Sequence, residues 1–346
     1  MVLNLSIADF LDGPGVILDV RSPGEYAQGH LPGAKSLPLL SDTERAQVGT
    51  CYKQQGRDQA VELGFAIVGP QFVRLIQQAK ALAPDQRVYL YCWRGGLRSN
   101  AVAWVLETAG MQVSVLVGGY KAFRRWVRST LALPRKILLL GGMTGTGKTD
   151  ILRAIAAQGA QMLDLEQLAN HRGSSYGALG LPPQPSTEQF ENLIAMRWAK
   201  LNPQAPVWIE AESRRIGICR IPEELFKQME QAIAVEIIRP LSERLSLLVE
   251  IYGSASADAL VAATERIRKR LGGLRTQQAI QLIQQGQLAA AFAILLDYYD
   301  RTYRYDLERR QRAIPTVDMT GLSAMAGAKL LTQKAELYLS SSDVAL

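Results

Sequence analysis

The stretch KILLLGGMTGTGKTDILRAIAAQG, residues 136–159, joins an apolar run, a glycine-rich loop and a second apolar run with helical spacing. Residues 142–149 fit the pattern G-x-x-x-x-G-K-[ST], in which backbone N–H groups at a helix N-terminus surround phosphate oxygens. The motif needs a strand before the loop and a helix after it, and both are present. The stretch therefore predicts a P-loop NTPase-like α/β domain that binds a phosphate or diphosphate.

Individual residues of this loop have separate predicted roles. Lys148 would reach the outer phosphate oxygens, and Thr149 could hold a magnesium ion. The strand predicted over residues 206–210 ends in Glu210, with Glu212 close behind, where an aspartate is usual, so a magnesium role for Glu210 is the weaker expectation. No segment of the sequence is recognisable as binding adenine or guanine, so the phosphate loop alone does not predict nucleotide hydrolysis. The predicted phosphate-binding residues are Gly142, Thr144, Gly145, Gly147, Lys148 and Thr149.

A chain of 346 residues is longer than one core usually serves, which predicts two domains. We place their boundary near Pro134 and assign residues 1–130 and 131–346. Apolar runs at residues 161–165, 206–210, 233–238 and 314–319 predict further strands of the second domain. The sequence between the last two runs predicts a basic helical insertion at about residues 240–312.

The octapeptide CWRGGLRS, residues 92–99, contains the best nucleophile candidate of the first domain. Apolar runs at residues 15–20, 87–92 and 113–119 predict a parallel sheet, with Cys92 at the end of one strand. Loop N–H groups and the start of a helix would lower the pKa of such a thiol. Arg94 and Arg98 add positive charge, so we predict that these two residues act with Cys92 in catalysis.

Composition excludes several classes of protein. The hydrophobic share of 48% and the charged share of 21% are ordinary for a globular protein, and no apolar run is long enough for a membrane span. The N-terminus has no signal-peptide pattern, which predicts a cytoplasmic protein. Three separated cysteines and two histidines favour neither a disulfide framework nor a histidine-rich metal site. We interpret Cys51 and Cys219 as small buried apolar residues.

The net charge of +7 suggests a polyanionic partner. Arginines alternate with tyrosines late in the chain, a mixture suited to RNA because arginine binds phosphate and both residue types stack on bases. The alternative is a solvated helix face with ion pairs to Glu265, Asp306 and Glu308. The RNA-binding candidates are Arg266, Arg268, Lys269, Arg270, Arg275, Arg301 and Arg304.

Three polar segments, residues 171–177, 184–191 and 209–217, combine arginines, hydroxyls and carboxylates and predict a polar anion-binding cleft in the second domain. Helix capping and salt bridging are the alternative explanation for each residue. The candidate cleft residues are His171, Arg172, Ser174, Glu210, Glu212, Arg214 and Arg215.

The segments DVRSPGEYAQGHLPGA, residues 19–34, and YCWRGGLRS, residues 91–99, resemble the rhodanese family. In that family the loop cysteine carries a persulfide. The resemblance gives Asp19 and Arg21 structural roles, and His30 is interpreted as structural because it lies in a turn.

Over nearly its whole length the chain resembles the bacterial tRNA 2-selenouridine synthases, in which a rhodanese domain precedes a P-loop domain. Besides the two loops, the resemblance is carried by GTCYKQQGRDQAVELG (49–64), LVGGYKAFR (116–124), HRGSSYG (171–177), QPSTEQFE (184–191), ESRRIG (212–217) and LLDYYDRTY (295–303). The family replaces the sulfur of a wobble 2-thiouridine with selenium from selenophosphate, through an S-geranylated nucleoside made from geranyl diphosphate.

This resemblance implies a transferase that contacts the tRNA anticodon arm and uses selenophosphate and geranyl diphosphate as substrates, with no tightly bound cofactor except for an optional magnesium ion. Cys92 would carry or orient selenium, or capture a phosphoryl or thiol fragment. Two alternatives stay open. One is a rhodanese sulfurtransferase coupled to an ATP-dependent RNA-thiolating domain, which requires ATP turnover. The other is a non-catalytic RNA-binding protein, which forms no product.

Overall fold

The structure is a computed structural model that describes residues 2–308 and 314–340; of residues 302–308 and Ser340 it gives the backbone only. The chain divides into two compact units. The first, here the rhodanese unit, comprises Met1–Thr130 with Glu191–Met196, and the second, the P-loop unit, comprises Leu131–Phe190 with Arg197–Leu346.

The rhodanese unit contains a five-stranded sheet in the order β1-β5-β4-β2-β3, with every neighbouring pair parallel. Its strands are β1 (Leu3–Leu5), β2 (Val16–Asp19), β3 (Lys35–Ser36), β4 (Arg87–Tyr91) and β5 (Gln112–Leu116). The helices of this part of the chain are α1 (Ile7–Leu11), α2 (Pro23–Gln28), α3 (Asp42–Gln54), α4 (Arg57–Val68), α5 (Phe72–Leu82), α6 (Leu97–Thr108) and α7 (Gly119–Leu131), with a 3-10 turn at Gly69–Gln71.

The central strands of this sheet are buried because helices cover both faces, as parallel sheets require. Leu18 pairs with Leu90, and Leu90 pairs with Val115, in the registers of β2, β4 and β5. All three side chains belong to one core cluster. This core holds the carboxyl end of β4, and therefore Cys92, in a fixed position.

The P-loop unit contains a second five-stranded parallel sheet in the order β12-β11-β6-β8-β7, and a two-stranded antiparallel hairpin, β9-β10. Its strands are β6 (Ile137–Gly142), β7 (Gln161–Leu163), β8 (Val207–Glu210), β9 (Arg215–Ile216), β10 (Cys219–Arg220), β11 (Ile233–Ile238) and β12 (Thr316–Asp318). Every residue of β6 is buried, in keeping with its central place in the sheet.

The helices of the P-loop unit fall into two groups. Those outside the insertion are α8 (Lys148–Ala157), α9 (Leu165–Ala169), α11 (Glu223–Gln231), α17 (Ala324–Gln333) and α18 (Ala335–Ser340), together with α10 (Thr187–Ala199), of which Glu191–Met196 belong to the rhodanese unit. Those inserted between β11 and β12 are α12 (Leu241–Tyr252), α13 (Ala257–Glu265), α14 (Arg268–Leu271), α15 (Gly273–Gln284) and α16 (Leu288–Glu308). The inserted helices have their own apolar core, which includes Leu248, Leu260 and Phe292.

The fold class predicted from the sequence, two α/β parts with a helical insertion in the second, is confirmed. The strand predicted over residues 161–165 is shorter, because Asp164 accepts a hydrogen bond from the Gln167 N–H and caps α9. The strands β1, β3, β9 and β10 were not predicted. Each has only two or three residues, too few to display a period.

Among the described residues, no single helix is long and apolar enough to cross a membrane. The helices Leu241–Tyr252 and Ala257–Glu265 are long and apolar enough only when taken together, and the chain bends by 118° between them.

Candidate active site

Cys92 lies directly after β4 and is 3% exposed. Its Sγ accepts a hydrogen bond from the Gly96 N–H at 3.4 Å and lies 3.3 Å from Ser99 Oγ. Burial alone would raise the pKa of the Cys92 thiol, but hydrogen bonds from the Ser99 side chain and from loop N–H groups outweigh it and hold this pKa below its ordinary value. The loop therefore favours a thiolate, the reactive form of cysteine.

Two glycines allow the cysteine loop to approach the start of α7. A Cβ at Gly95, where φ is +62°, would lie 2.5 Å from the Leu116 carbonyl oxygen. A Cβ at Gly119, where φ is +55°, would lie 2.4 Å from the Cys92 carbonyl oxygen. That carbonyl instead accepts a hydrogen bond from the Tyr120 N–H at 2.8 Å. Any larger residue at either glycine would force the loop away from α7.

The two arginines predicted beside the thiolate have different environments. Arg98 donates to the Glu25 carboxylate at 2.6 and 3.3 Å, so a neighbouring negative charge balances its guanidinium. Burial opposes ionisation of Glu25, but Arg98 and the Ser22 N–H outweigh it and lower the pKa of Glu25. Arg94 is exposed. Of the two, Arg94 is the one available to an incoming anion, and both catalytic roles stay predictions.

His30, interpreted as structural, stacks on Tyr26 with the ring centroids 3.9 Å apart. Its Nδ1 lies 3.0 Å from the Tyr26 carbonyl oxygen. Burial lowers the pKa of His30 and so favours the neutral ring. These contacts agree with a role in the turn before Pro32.

The phosphate loop connects β6 to α8 with the backbone that the motif requires. Gly147 has φ of +81° and precedes the first residue of α8. Lys148 Nζ donates to the Gly142 carbonyl at 2.9 Å and lies 3.4 Å from Glu210 Oε1. The Thr149 hydroxyl lies 3.3 Å from Glu210 Oε2. The ends of β6 and β8 thus bring the predicted lysine, threonine and glutamate together.

A third carboxylate, which sequence reasoning missed, completes this group. Oxygens of Glu166, Glu210 and Glu212 lie within 4.8 Å of one another, and Thr149 Oγ1 is 3.2 Å from Glu166 Oε2. Burial and repulsion by the other carboxylates raise the pKa of Glu166 to about 9 and that of Glu212 to about 8. Three carboxylates and a hydroxyl are hard oxygen ligands, so this donor set fits Mg²⁺.

Glu166 could have been found from one signal. The acidic pair Asp164 and Glu166 directly follows β7, and the carboxyl ends of neighbouring parallel strands meet at one edge of a sheet. Because β7 is adjacent to β8, Glu166 lies beside Glu210.

Two arginines outside the motif hold the phosphate loop. Arg239 Nε donates to the Thr146 carbonyl at 3.0 Å, and Arg244 Nε donates to the Thr144 carbonyl at 2.9 Å. Arg244 also binds both oxygens of Asp300, at 2.9 and 2.6 Å. These bonds fix the orientation of the loop peptides. No sequence motif indicates this role, since both arginines lie about a hundred residues beyond the phosphate loop.

A small apolar pocket, with a cavity volume of about 20 Å³, borders the phosphate loop at Thr144 and opens to solvent. The hydroxyl groups of its three tyrosines already have partners: Tyr176 contacts Thr264, Tyr299 accepts from the Ser175 N–H, and Tyr252 binds Ser174. The pocket therefore offers mainly hydrocarbon and ring surface to a ligand. Its other apolar walls are Leu248, Phe292, Leu295 and Leu296.

The predicted cleft segment 171–177 lies against the acidic group. A Cβ at Gly173 would be 3.1 Å from Glu166 Oε1 and 3.2 Å from Glu212 Oε1. Arg172 donates to the Leu179 carbonyl at 2.9 Å, and its guanidinium lies 5.9 Å from the centre of the Tyr252 ring.

His171 and Ser174, the other cleft candidates in this segment, have structural partners of their own. His171 is buried, which lowers its pKa, and its N–H donates to the Glu166 carbonyl. The Ser174 Oγ accepts from the Tyr176 N–H at 3.2 Å. The backbone of residues 171–177 therefore borders the site, and the Ser174 hydroxyl stabilises the segment. The buried His171 Nδ1 has no hydrogen-bond partner among the described residues.

Two candidate cleft residues, Arg214 and Arg215, have other surroundings. The Arg214 guanidinium lies 3.7 Å from the Glu223 carboxylate and 5.6 Å from the centre of the Phe226 ring, both on α11. Arg215 is exposed on the β9-β10 hairpin. Their roles in the cleft stay predictions.

The RNA-binding candidates divide into paired and unpaired residues. Arg268 binds Glu265 at 2.6 Å, while Arg275 and Arg301 both contact Asp297. These pairs match the alternative of a solvated helix face. Arg266, Lys269 and Arg270 are exposed, and within the described part of the chain none has a carboxylate within ion-pair distance. The side chains of Arg304, Asp306 and Glu308 lie outside the described residues.

Comparison with known proteins identifies the family. Residues 135–326 match the family described as tRNA 2-selenouridine synthase AAA domain, and residues 6–125 match the rhodanese-like domain. The tRNA 2-selenouridine synthase of Marinobacter nauticus is 36% identical over 334 residues, covering 86% of this chain and 90% of that protein. This chain belongs to the tRNA 2-selenouridine synthase family.

Other members of the tRNA 2-selenouridine synthase family match this chain over a similar length. The Salmonella schwarzengrund protein is 38% identical over 330 residues, covering 85% of this chain and 90% of its own length. A solved structure, the N-terminal domain of a putative ATP/GTP binding protein from Clostridium difficile 630, is 38% identical and covers 36% of this chain and 97% of its own, with a TM-score of 0.34. The predicted family is confirmed, and the chain is an enzyme of the transferase class.

Proposed function

We propose that this enzyme replaces the sulfur of wobble 2-thiouridine in tRNA with selenium from selenophosphate, through an S-geranylated nucleoside made from geranyl diphosphate. The observation that carries the geranyl part is the pocket beside the phosphate loop. Thr144 lines both, and the pocket tyrosines already use their hydroxyls. A diphosphate ester of a hydrocarbon matches this pairing of an anion site with an apolar site.

In the first step the uridine sulfur attacks carbon 1 of the geranyl group. The C–O bond to the diphosphate breaks, its electrons leave with the diphosphate, and the N3 proton of the base goes to solvent. Lys148 and the loop N–H groups stabilise the charge that develops on the leaving oxygen. Thr149 with Glu166, Glu210 and Glu212 would hold Mg²⁺, which supplies further positive charge at the diphosphate.

In the second step selenium forms a bond to C2 of the base and the bond between C2 and sulfur breaks. Its electron pair leaves with the sulfur as geranyl thiolate, which takes up a proton from solvent to give geranylthiol. Water then cleaves the Se–P bond and releases phosphate. Cys92 would carry or orient the selenium donor, or capture a phosphoryl or thiol fragment, and its lowered pKa supports a reactive thiolate. The exposed Arg94 would neutralise the negative charge of the selenium donor. Arg98 is the second cation predicted for this role.

The tRNA anticodon arm would contact the inserted helices, where Arg266, Lys269 and Arg270 have no carboxylate within ion-pair distance among the described residues. Such contacts with phosphates should weaken steeply as salt rises. We further propose that the enzyme acts in the cytoplasm, because tRNA is its substrate.

The test is a stepwise assay with the full chain and an RNA that contains 2-thiouridine. Addition of geranyl diphosphate should give a geranylated nucleoside by mass spectrometry, and addition of selenophosphate should then give the selenium-for-sulfur mass shift. Unchanged 2-thiouridine, from folded protein that still binds RNA, would contradict the proposal. ATP consumption coupled to sulfur transfer would favour the sulfurtransferase alternative, which the persulfide chemistry of rhodanese cysteines suggests.

A further inference from the structure

Helix α7 of the rhodanese unit has one basic face. Lys121, Arg125 and Arg128 recur at i, i+4 and i+7 and are exposed. Phe123 and Val127 on the opposite face are fully buried. The spacing places the three cations on one side of the helix, along about 10 Å of its axis. We call them the α7 stripe.

The α7 stripe begins at the cysteine loop. The Lys121 N–H donates to the Trp93 carbonyl at 3.0 Å, and the Tyr120 N–H donates to the Cys92 carbonyl. Arg94, one residue further along the loop, is also exposed. A ligand strand that follows the stripe therefore reaches the residues around Cys92.

The charges of the stripe are not balanced by neighbours. Helix α7 contains no acidic residue, and in the described part of the chain no carboxylate lies within ion-pair distance of Lys121, Arg125 or Arg128. A surface used only for solubility normally mixes both signs of charge. A row of unpaired cations is typical of a surface that binds a polyanion.

Trp93 gives this surface an aromatic platform beside the thiol. Its ring packs against Tyr120 at a centroid distance of 5.7 Å and has the Arg21 guanidinium 5.7 Å away, yet 40% of the residue is exposed. An indole supported from within and open on the outside suits stacking by an unpaired base. An acidic protein partner would use the cations but would have no need of this platform.

We propose that the α7 stripe and Trp93 form an RNA-binding surface, in which the cations bind phosphates of the anticodon loop and Trp93 stacks on the wobble base beside Cys92. This inference rests on the proposed tRNA substrate and adds a second RNA contact to the one on the inserted helices. Trp93 is a positioning residue here, because it holds the base for the chemistry at C2.

The charge part is tested with the full chain and an anticodon stem-loop RNA that contains 2-thiouridine. The triple variant Lys121→Gln, Arg125→Gln, Arg128→Gln should lower the slope of log Kd against log salt by about 2 and weaken binding about tenfold or more at moderate salt. The control is Arg74→Gln, Lys80→Gln, Arg87→Gln, which removes the same charge from exposed positions of the same unit. Equal slopes for the two triple variants would overturn the proposal.

The stacking part uses Trp93→Ala, with Trp93→Phe as the conservative variant. Trp93→Ala should weaken binding of the 2-thiouridine RNA about tenfold, and Trp93→Phe should restore most of it. On the same RNA with an abasic wobble position the three proteins should bind alike. A loss that persists on the abasic RNA would show a structural effect and overturn the stacking role.

Failure of this inference differs from failure of the proposed function. If the wild-type protein incorporates selenium, and the stripe variant binds and converts RNA as the control variant does, the surface is wrong and the function stands. If the wild-type protein binds RNA through the stripe but yields no selenium product, the surface is supported and the function is wrong.

Discussion

The Lys148 ammonium lies 3.4 Å from the Glu210 carboxylate, at the junction of the central strand β6 with its neighbour β8. The same ammonium donates to the Gly142 carbonyl at 2.9 Å, so it is held at the base of the phosphate loop. Its positive charge offsets one of three crowded carboxylates. A bound diphosphate would contact the Lys148 ammonium and a bound cation the carboxylates, so the binding of each would affect the binding of the other.

We expect Lys148→Ala to slow geranylation about 100- to 1000-fold, because the leaving diphosphate loses its main cationic partner. Selenation of RNA that already carries the geranyl group should continue, since that step releases no diphosphate. Quantification of both nucleosides by mass spectrometry separates the two steps. Loss of selenation with geranylation spared would show that the loop binds a different substrate.

The cluster of Glu166, Glu210 and Glu212 should make the metal-free protein less stable as pH rises. The folded pKa of Glu166 is about 9, above its ordinary 4.5, so the folded state holds a proton that the unfolded state has lost between those values. The contribution of Glu166 to the free energy of unfolding is therefore complete below about pH 4.5 and is lost as the pH rises toward 9. Thermal melting in EDTA should show this decline, and Mg²⁺ should reduce it by replacing the proton.

Glu166→Gln is the matched variant for that measurement. The amide is neutral and nearly the same size, so the decline of the melting temperature between pH 5 and 9 should become shallower. Glu250→Gln, which alters an exposed carboxylate of α12, provides the control. An unchanged pH profile in Glu166→Gln would mean that this carboxyl is not forced to keep its proton.

The sequence was sufficient for the parts of the site that lie within one loop. Cys92, Lys148 and Thr149 occur in contiguous motifs whose strand and helix contexts can be recognised locally. Glu166 and Arg244 lie outside these motifs. The position of Glu166 just after β7 is its one signal in the sequence, and Arg244 has none, because the packing of the inserted helices brings it to the phosphate loop. Ion pairing was equally hidden: nothing in CWRGGLRS indicates that Arg98 binds Glu25, which lies 73 residues earlier.

Ser99→Ala should raise the pKa of the Cys92 thiol, since the variant removes a hydrogen bond that opposes the effect of burial. Thiolate absorbance in the ultraviolet during a pH titration measures this change, with Cys92→Ser as the blank. Burial raises the pKa of Cys219 to about 11, so this thiol does not interfere near neutral pH. If the thiolate has a role in the selenium step, the pH profile of selenation should shift upward in Ser99→Ala, while that of geranylation should not. Coincident titration curves for the wild type and Ser99→Ala would contradict the assigned hydrogen bond.

The apolar pocket beside Thr144 should set the length of the hydrocarbon that the enzyme accepts. Phe292→Ala removes a ring from its wall, so we expect the KM for fifteen-carbon farnesyl diphosphate to fall about tenfold relative to that for geranyl diphosphate. Leu295→Trp fills the same space and should raise the KM for geranyl diphosphate while inhibition by inorganic diphosphate stays unchanged, because the phosphate loop is intact. Leu274→Trp, at an exposed position of α15, is the control for the added indole. If both tryptophan variants turned over geranyl diphosphate equally well, the hydrocarbon chain of the substrate would bind outside this pocket. The phosphate loop would then bind the diphosphate without any contribution from the pocket.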